Sequence, residues 1–142
     1  MMQKFIHTVL KTQSSYRQVI QKCLRLNNID LTFEMLYILH YLSKNDRINQ
    51  QELSNLTFKD KSSLSYLITN MEKRGYIVRE EDTKDKRNKL IIFTPEGRQL
   101  FHEVRTLLDQ EYARMEQKID AEKMQSCICY LEEISVLVKE FK

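Results

Sequence analysis

Apolar residues recur at helical spacing along most of the chain, and this periodicity predicts six helices. The predicted helices cover residues 3–26, 33–43, 50–56, 61–74, 96–118 and 121–140. Two strands are expected at 76–79 and 90–93, where β-branched and aromatic residues interrupt the helical period, and a third short strand is expected at 47–49. The pattern therefore predicts a mainly α fold with a small antiparallel β-wing.

The fourth predicted helix separates its apolar and polar residues onto two faces. Leu64, Leu67, Ile68 and Met71 follow the i, i+3, i+4, i+7 spacing of a buried stripe. Asp60 directly precedes this helix and is the expected N-cap, because a short carboxylate side chain can accept the first unpaired backbone N–H groups. One face of this helix is therefore expected to pack inward and the other to remain available.

Short polar side chains fill that second face, which is typical of a helix that enters a DNA major groove. We predict contacts to base edges from the residues near its start, namely Ser62, Ser63, Ser65 and Tyr66. Phosphate contacts are predicted from Lys61, Thr69 and Lys73. Taken alone, such a helix also fits an ordinary solvated face, so the interpretation depends on the short helix before it and the basic loop after it.

A basic loop at residues 82–89 joins the two predicted strands. Its cationic side chains are Lys84, Lys86, Arg87 and Lys89. A basic hairpin tip can reach a minor groove, where the negative potential favours arginine. Asp85 is interpreted as a structural partner that orients Arg87. A charged hairpin can also serve only to keep a sheet edge soluble, and that alternative stays open for the loop taken alone.

The charge distribution supports a polyanionic partner for this region. The chain has a formal net charge of +3. Residues 59–89 contain nine Lys and Arg residues against six Asp and Glu residues. The whole excess of positive charge therefore lies on the segment that is predicted to contact DNA. An excess of three charges is modest, and it adds to the motifs without replacing them.

Composition excludes several other classes of protein. Hydrophobic residues make up 42% of the 142 residues and charged residues 30%, which suits one domain with its own core. No apolar run approaches the length of a membrane-spanning helix, so no membrane association is expected and a cytoplasmic location is predicted. Three cysteines are too few, and odd in number, for a disulfide framework.

From about residue 31 to 97 the chain resembles the winged-helix core of the MarR family of bacterial transcription regulators. The residues at 60–65 and 71–77 are similar to the family's recognition helix and its exit, and Asp85 and Arg87, separated by one residue, are similar to its wing signature. The stretch at 94–97, Thr-Pro-Glu-Gly, resembles the threonine-led start of the family's next helix. The flanking helices also agree in number and length, so the resemblance covers nearly all of the chain.

This resemblance implies a single domain over residues 1–142: a winged helix-turn-helix core at about 31–97, with dimerisation helices at 1–28 and 98–142. It implies a homodimer that binds double-stranded DNA at a pseudo-palindromic operator through recognition helix 61–74 and wing 82–89. We predict that this regulator is a repressor. The position of Tyr66 often carries an arginine or another polar residue in this family, so the operator sequence does not carry over.

The residues themselves also favour a dimer. The last predicted helix has a heptad-like seam, formed by Cys127, Leu131, Ile134, Val138 and Phe141. The first, fifth and sixth helices together carry more apolar surface than a small winged domain can cover. A two-fold dimer would present its two reading helices about 34–36 Å apart, one turn of the duplex.

Candidate sensors of a small-molecule effector follow from the same resemblance. Family effectors often bind between the dimer base and the winged lobe, and Tyr16, Tyr37, His40 and Tyr41 are candidates to line such a cleft. The alternative is that these four are ordinary core and boundary residues. Cys23 is a candidate oxidant sensor, although no obvious resolving cysteine follows it.

Two other functional classes are alternatives to a DNA-binding regulator. A winged domain can act as a protein-interaction module without sequence-specific DNA binding, because a fold does not fix a function. An enzyme is disfavoured, because the chain lacks a glycine-rich phosphate loop, a nucleophile elbow and a His-x-x-x-His pair. No cofactor and no metal site are predicted, since the histidines are scattered and Cys127 and Cys129, two residues apart, point to different faces of one helix.

Overall fold

The computed structural model describes residues 1–57 and 59–142, and within them the chain is mainly helical with one small antiparallel sheet. The elements are α1 (Met2–Leu26), α2 (Phe33–Lys44), β1 (Arg47–Asn49), α3 (Gln50–Thr57), α4 (Lys61–Lys73), β2 (Ile77–Glu81), β3 (Lys89–Phe93), α5 (Pro95–Glu116) and α6 (Ala121–Lys139). Each predicted helix and strand is confirmed, and its two ends lie within two residues of the predicted ones. The chain divides into two compact units, residues 1–106 and 107–142.

The three described strands of the first unit are ordered β1-β3-β2, so β3 lies in the centre. β2 pairs with β3 from Ile77 opposite Phe93 to Glu81 opposite Lys89. Alternate residues of this ribbon point into the core, since Ile77 and Ile91 are fully buried and Phe93 nearly so. The ribbon is therefore anchored at its base while its far end projects as the wing.

The core of the first unit lies between the sheet and helices α1 to α4. Its fully enclosed side chains come from every one of these helices and from both long strands: Ile20, Leu24, Met35, Ile38, Leu39, Leu42, Leu53, Leu64, Ile68, Met71, Ile77 and Ile91. In α3, the spacing of Leu53 and Leu56 predicts that both residues face inward. Leu53 is fully buried, but the prediction is wrong for Leu56, because 39% of this residue is exposed. It lies in the last turn of the short helix α3, where the apolar stripe has rotated away from the core.

The end of α4 is fixed by a left-handed glycine. Gly75 has φ +79°, and its N–H donates to the Glu72 carbonyl while the Tyr76 N–H donates to the Met71 carbonyl. This pair of bonds is the Schellman arrangement that ends a helix and turns the chain. α4 therefore stops sharply, and β2 begins within two residues of the glycine.

The start of α5 is packed tightly against the same turn. The Thr94 hydroxyl donates to the Gly75 carbonyl at 2.6 Å and accepts the Gly97 N–H at 3.0 Å, so it joins the turn to the first turn of α5. A Cβ atom at Gly97 would lie 2.0 Å from the Tyr76 carbonyl oxygen. Any side chain at this position would therefore force the backbone to move. The Thr-Pro-Glu-Gly stretch thus has a steric and hydrogen-bonding role at the base of the wing.

The second unit contains the end of α5 and the whole of α6. Asp120 caps α6 by accepting the Lys123 N–H at 3.1 Å. No residue of α6 is buried within the described chain, and among the residues of its predicted seam only Ile134 is even half-buried. The apolar side of this helix is therefore left uncovered in a single chain.

Candidate DNA-binding surface

The buried stripe of α4 fixes which face of that helix points outward. Leu64, Ile68 and Met71 have no exposed surface, whereas Tyr66, between them in sequence, is 73% exposed. Because residues four apart share a helix face, Tyr66 lies on the same side as Ser62 and opposite the stripe. The helix is therefore oriented as the sequence predicted.

The predicted reading residues differ in how accessible they are. Tyr66, Lys61, Ser62, Ser63 and Lys73 are exposed. Ser65 and Thr69 are half-buried at the margins of the outward face. The structure thus brings all seven residues onto one helix but presents five of them more fully than the other two.

The start of α4 is organised by one fully exposed carboxylate. Asp60 Oδ1 accepts the Ser63 N–H at 2.8 Å and the Ser62 hydroxyl at 2.8 Å, and Oδ2 accepts the Ser63 hydroxyl at 3.0 Å. The bond from the Ser63 backbone N–H, followed by those from the two hydroxyls, lowers the pKa of Asp60 to about 2. Both serines therefore donate to Asp60, and each keeps oxygen lone pairs directed elsewhere.

A polar cluster links α4 to β2. The Arg79 backbone N–H donates to Glu72 Oε2 at 2.9 Å, and Arg79 Nε lies 3.7 Å from Glu72 Oε1. The Arg79 guanidinium also donates to the Thr69 hydroxyl. The sequence interpretation gave Thr69 a phosphate contact, and the structure shows that its oxygen already accepts a hydrogen bond from the wing strand.

Backbone-to-carboxylate hydrogen bonds shape the tip of the wing. Asp82 accepts the Lys84 N–H at 2.9 Å, and Asp85 Oδ1 accepts the Arg87 N–H at 3.0 Å. Asp85 was expected to orient Arg87, and it does so through the backbone of that residue. Lys84, Lys86 and Arg87 are exposed, and these contacts leave their side chains directed into solvent.

Lys89 differs from the other cations of the wing. Its Nζ lies 3.4 Å from Glu81 Oε1 across the ribbon. It also lines a cleft of about 150 Å³ between α3, α4 and the wing, together with Lys61, Gln50, Gln51 and Asn88. The sequence interpretation missed the two glutamines and Asn88, because nothing in their local pattern shows that α3 and the ribbon meet beside Lys61.

A second concave site lies away from the reading face. It encloses about 420 Å³ and is lined by residues of α1, α2 and the connection before α4: Gln13, Tyr16, Arg17, Phe33, Glu34, Tyr37, Thr57 and Lys59. Tyr16 and Tyr37 therefore line a cavity as the sequence suggested. His40 and Tyr41 do not line it, although both rings contact Tyr37, with centroids 6.4 and 5.2 Å away.

Two of the charged groups at this cavity, Arg17 and Glu34, are paired with each other. Arg17 forms an ion pair with Glu34, and its guanidinium lies over the Phe33 ring with its carbon 5.6 Å from the centroid. Burial raises the pKa of Glu34, but its backbone hydrogen bond and the Arg17 charge outweigh burial and leave that pKa below its ordinary value. Burial, together with the positive charges of Lys44 and Arg105, lowers the pKa of His40 below its ordinary value.

Other candidate chemistry is not assembled in the described residues. Cys23 is buried, whereas Cys127 and Cys129 are exposed on α6. Within residues 1–57 and 59–142, no three His, Cys, Asp or Glu side chains come close enough to hold a metal ion. Among the described helices, none is sufficiently long and apolar to span a bilayer.

Several known proteins are similar to this chain in sequence. The sequence model of the MarR family matches residues 29–88, which include α2 to α4 and most of the wing. The HTH-type transcriptional regulator FarR of Neisseria gonorrhoeae is 30% identical over 99 residues, covering 70% of this chain and 68% of FarR. The chain belongs to the MarR family. The Homoprotocatechuate degradative operon repressor of Escherichia coli is a further relative, 29% identical over 76% of this chain and 73% of its own length.

Solved structures agree with this assignment. The MarR-family transcriptional regulator AbsC of Streptomyces coelicolor superposes with a TM-score of 0.82 over 96% of this chain and 93% of AbsC, at 24% identity, which shows the shared fold. NadR in complex with 4-hydroxyphenylacetate superposes with a TM-score of 0.75 at 26% identity, covering 89% of each chain. This MarR-family protein is therefore a winged-helix, DNA-binding transcription regulator, and its relatives are regulators and not enzymes.

Proposed function

We propose that this MarR-family protein is a homodimeric repressor that binds a pseudo-palindromic operator through recognition helix 61–74 and wing 82–89. The observation that carries the proposal is the orientation of α4, with Ile68 fully buried and Tyr66 73% exposed. A helix held by one face and bare on the other can enter a major groove without rearrangement. The name of the E. coli relative, an operon repressor, supports repression over activation.

We assign contacts to the exposed residues of this surface by their chemistry. Ser62, Ser63, Ser65 and Tyr66 are proposed to meet base edges, and Lys61 and Lys73 to bind phosphates at the two ends of the helix. Lys84, Lys86 and Arg87 are proposed to reach the adjacent minor groove, with Lys89 nearer the backbone because Glu81 holds it at the base of the wing.

Uncovered apolar surface supports the homodimer. Near the start of α1, Met2, Ile6 and Leu10 are 55%, 43% and 56% exposed. The predicted seam includes Val138 on α6, 48% exposed, and Phe141 just beyond this helix, 84% exposed. Contiguous apolar surface of this kind marks an interaction site, and a second copy of the same chain would give each patch a matching partner. The expected mass in solution, by light scattering or sedimentation, is twice the 17.1 kDa of one chain.

Selection of DNA by the purified protein tests the operator. Random duplexes retained by the protein are sequenced, and the preferred sequence is then compared with a scrambled duplex over a series of salt concentrations. An inverted repeat should emerge, and affinity should fall steeply with salt because phosphates are neutralised. A flat salt response, or equal affinity for both duplexes, would instead favour a winged protein-interaction module.

The cavity beside α2 supports a small-molecule effector as a second part of the proposal. Its volume of about 420 Å³ is that of a site for a small ligand. Phe33 and Tyr37 stack with centroids 6.1 Å apart. Arg17 and Lys59 outnumber the carboxylate of Glu34, which pairs with Arg17, so the lining keeps an excess of positive charge. We infer that the ligand class is an aromatic carboxylate, because the rings would contact its ring and the cations its acid group. The ligand of the NadR structure, 4-hydroxyphenylacetate, belongs to that class.

The position of the cavity offers a route from ligand to DNA. Lys59 lines the cavity and directly precedes Asp60, the cap of the recognition helix. The Lys59 carbonyl also accepts the hydroxyl of buried Ser54 at 2.7 Å, so this connection is tied to α3. A ligand that draws Lys59 toward its carboxylate would therefore act on the start of α4.

An effector test uses a charged ligand and its neutral isostere. The probe 4-hydroxyphenylacetate should weaken operator binding, whereas 4-hydroxyphenylacetamide should have little effect because it lacks the negative charge. Arg17→Ala should abolish the response to the acid while operator affinity without ligand is retained. Equal effects of the acid and the amide, or none from either at millimolar concentration, would remove the aromatic carboxylate from the proposal.

A further inference from the structure

Arg79 lies on an edge strand whose outer side faces the recognition helix. β2 pairs with β3 along one edge, and in the described sheet no strand covers its other edge. There the Arg79 backbone N–H donates to Glu72 Oε2 at 2.9 Å, so a side chain of α4 satisfies a backbone group of the wing. The position of β2 relative to α4 is therefore fixed at this residue.

The side chain of Arg79 continues from this anchor toward the outward face of α4. Its Nε lies 3.7 Å from Glu72 Oε1, and its guanidinium donates to the Thr69 hydroxyl. Thr69 is seven residues after Ser62 and three after Tyr66, so it lies on the helix face that carries the reading residues. The guanidinium thus reaches the margin of the proposed DNA-binding surface, and 23% of the Arg79 side chain is exposed.

The remaining hydrogen-bonding capacity of the guanidinium suits a phosphate. Arginine has five N–H donors in a planar fork, which matches two oxygens of one phosphate group. Glu72 occupies the Nε side and Thr69 takes one N–H; within the described residues the structure records no other acceptor for this group. Two partners therefore hold the fork in place while part of it stays available.

We propose that Arg79 binds a DNA backbone phosphate beside the recognition helix, and that Glu72 and Thr69 are positioning residues that orient it. This inference rests on the proposed operator binding. It reassigns the phosphate contact that the sequence suggested for Thr69, because the threonine oxygen serves as an acceptor for Arg79. The wing then contacts DNA at its base as well as at its tip.

Arg79→Met is the principal test, because methionine keeps much of the apolar stem and removes the charged fork. Affinity for the selected operator should fall about tenfold. The slope of log affinity against log salt should become shallower by about 1.8, because each protomer of the proposed homodimer loses one phosphate contact and each contact contributes about 0.9. Arg79→Lys should restore most of the slope but not all of the affinity, since an ammonium group cannot form the fork.

Arg98→Met is the matched control. Arg98 also pairs with a carboxylate, Asp46, with Nη2 and Oδ1 2.7 Å apart, and it belongs to α5 and not to the proposed DNA-binding surface. Its loss should leave operator affinity and the salt slope unchanged. Thermal unfolding of both variants identifies the temperature range in which each is folded, and binding is measured there.

A double-mutant cycle separates the role of Thr69 from that of Arg79. Thr69→Val should weaken binding in the wild-type background without changing the salt slope, because it removes the acceptor that orients the guanidinium. In the Arg79→Met background the same change should have no further effect. Additive losses would show that Thr69 contacts DNA independently of Arg79 and would overturn its assignment as a positioning residue.

The possible failures are distinguishable. If the wild-type protein shows no sequence preference and no salt dependence, the proposed operator binding fails. If it binds its operator and Arg79→Met retains both the wild-type affinity and the wild-type slope, operator binding stands and the assignment of Arg79 is wrong.

Discussion

Helices α4 and α6 carry comparable apolar stripes but place them in opposite surroundings. The stripe of α4 is fully enclosed by its own chain at Leu64, Ile68 and Met71. α6 has no buried residue within its chain, and Phe141 just beyond it is 84% exposed. The periodicity of a helix therefore shows which residues share a face, but it does not show whether the same chain covers that face. In this protein, the stripe of α4 is covered by its own chain, whereas that of α6 is not.

The largest expected effect breaks the α4 side of this comparison. Ile68→Ala removes a fully buried side chain and leaves a cavity, so the free energy of unfolding should fall by about 2–5 kcal/mol. Denaturant unfolding measures this change, and the loss should be the same at every protein concentration. A loss that disappears at high protein concentration would show that α4 depends on a partner as well.

Charges on the α6 stripe should produce the next largest effect. Leu131→Glu together with Val138→Glu places carboxylates on the exposed seam, and dimerisation should weaken by at least about 2 kcal/mol. Sedimentation over a dilution series measures the dissociation constant, and circular dichroism should show unchanged helix content. Glu132→Gln, a change of an exposed neighbour outside the seam, is the control and should leave the mass unchanged.

The difference between α4 and α6 also explains how much could be predicted from the sequence. The stripe at Leu64 to Met71 and the Asp60 cap were predicted, because each depends on local spacing or local backbone chemistry. Leu56 was wrongly placed, since a two-turn helix leaves the periodicity with too few points to fix its last turn. The fold as a whole followed from such local signals and from the family resemblance.

Contacts between distant elements were not predictable in the same way. Arg79 and Thr69 are ten residues apart and belong to different elements, and their hydrogen bond depends on the angle between α4 and β2. The cavity lining likewise includes Lys59, which no aromatic pattern indicated, and omits His40 and Tyr41. Sequence periodicity identifies faces, whereas the partners across two faces follow from the three-dimensional packing.

A smaller effect should separate DNA binding from both apolar stripes. Arg87→Ala removes an exposed guanidinium at the tip of the wing, where its backbone N–H bonds to Asp85 at 3.0 Å and is unaffected by the change. Operator affinity should fall by about 1–3 kcal/mol. Unfolding free energy and dimer mass should stay at wild-type values, because neither stripe is touched. A parallel loss of stability would show that the wing tip supports the fold and not the DNA contact.

The smallest expected effect concerns the polar face of α4 alone. Hydrogen bonds from the Ser63 N–H and from the hydroxyls of Ser62 and Ser63 lower the pKa of Asp60 from 3.8 to about 2. Because the folded pKa lies below the ordinary value, ionised Asp60 stabilises the fold fully above about pH 4, and this contribution disappears as pH falls toward 2. Acid should therefore weaken the hydrogen bonds at the start of α4 and leave the packing of its buried side chains unchanged.

Asp60→Asn isolates this contribution, since asparagine still caps a helix but does not ionise in this range. The stability difference between wild type and Asp60→Asn, measured by urea unfolding, should be constant from pH 7 to about pH 4 and should narrow between about pH 4 and pH 2. Asp120→Asn, at the cap of α6 where the carboxylate accepts a backbone N–H and pairs with Lys123, tests the effect of capping without the two serine hydroxyls. A difference for Asp60→Asn that does not change with pH would mean that neither the Ser63 N–H nor the two serine hydroxyls stabilise the ionised carboxylate in solution.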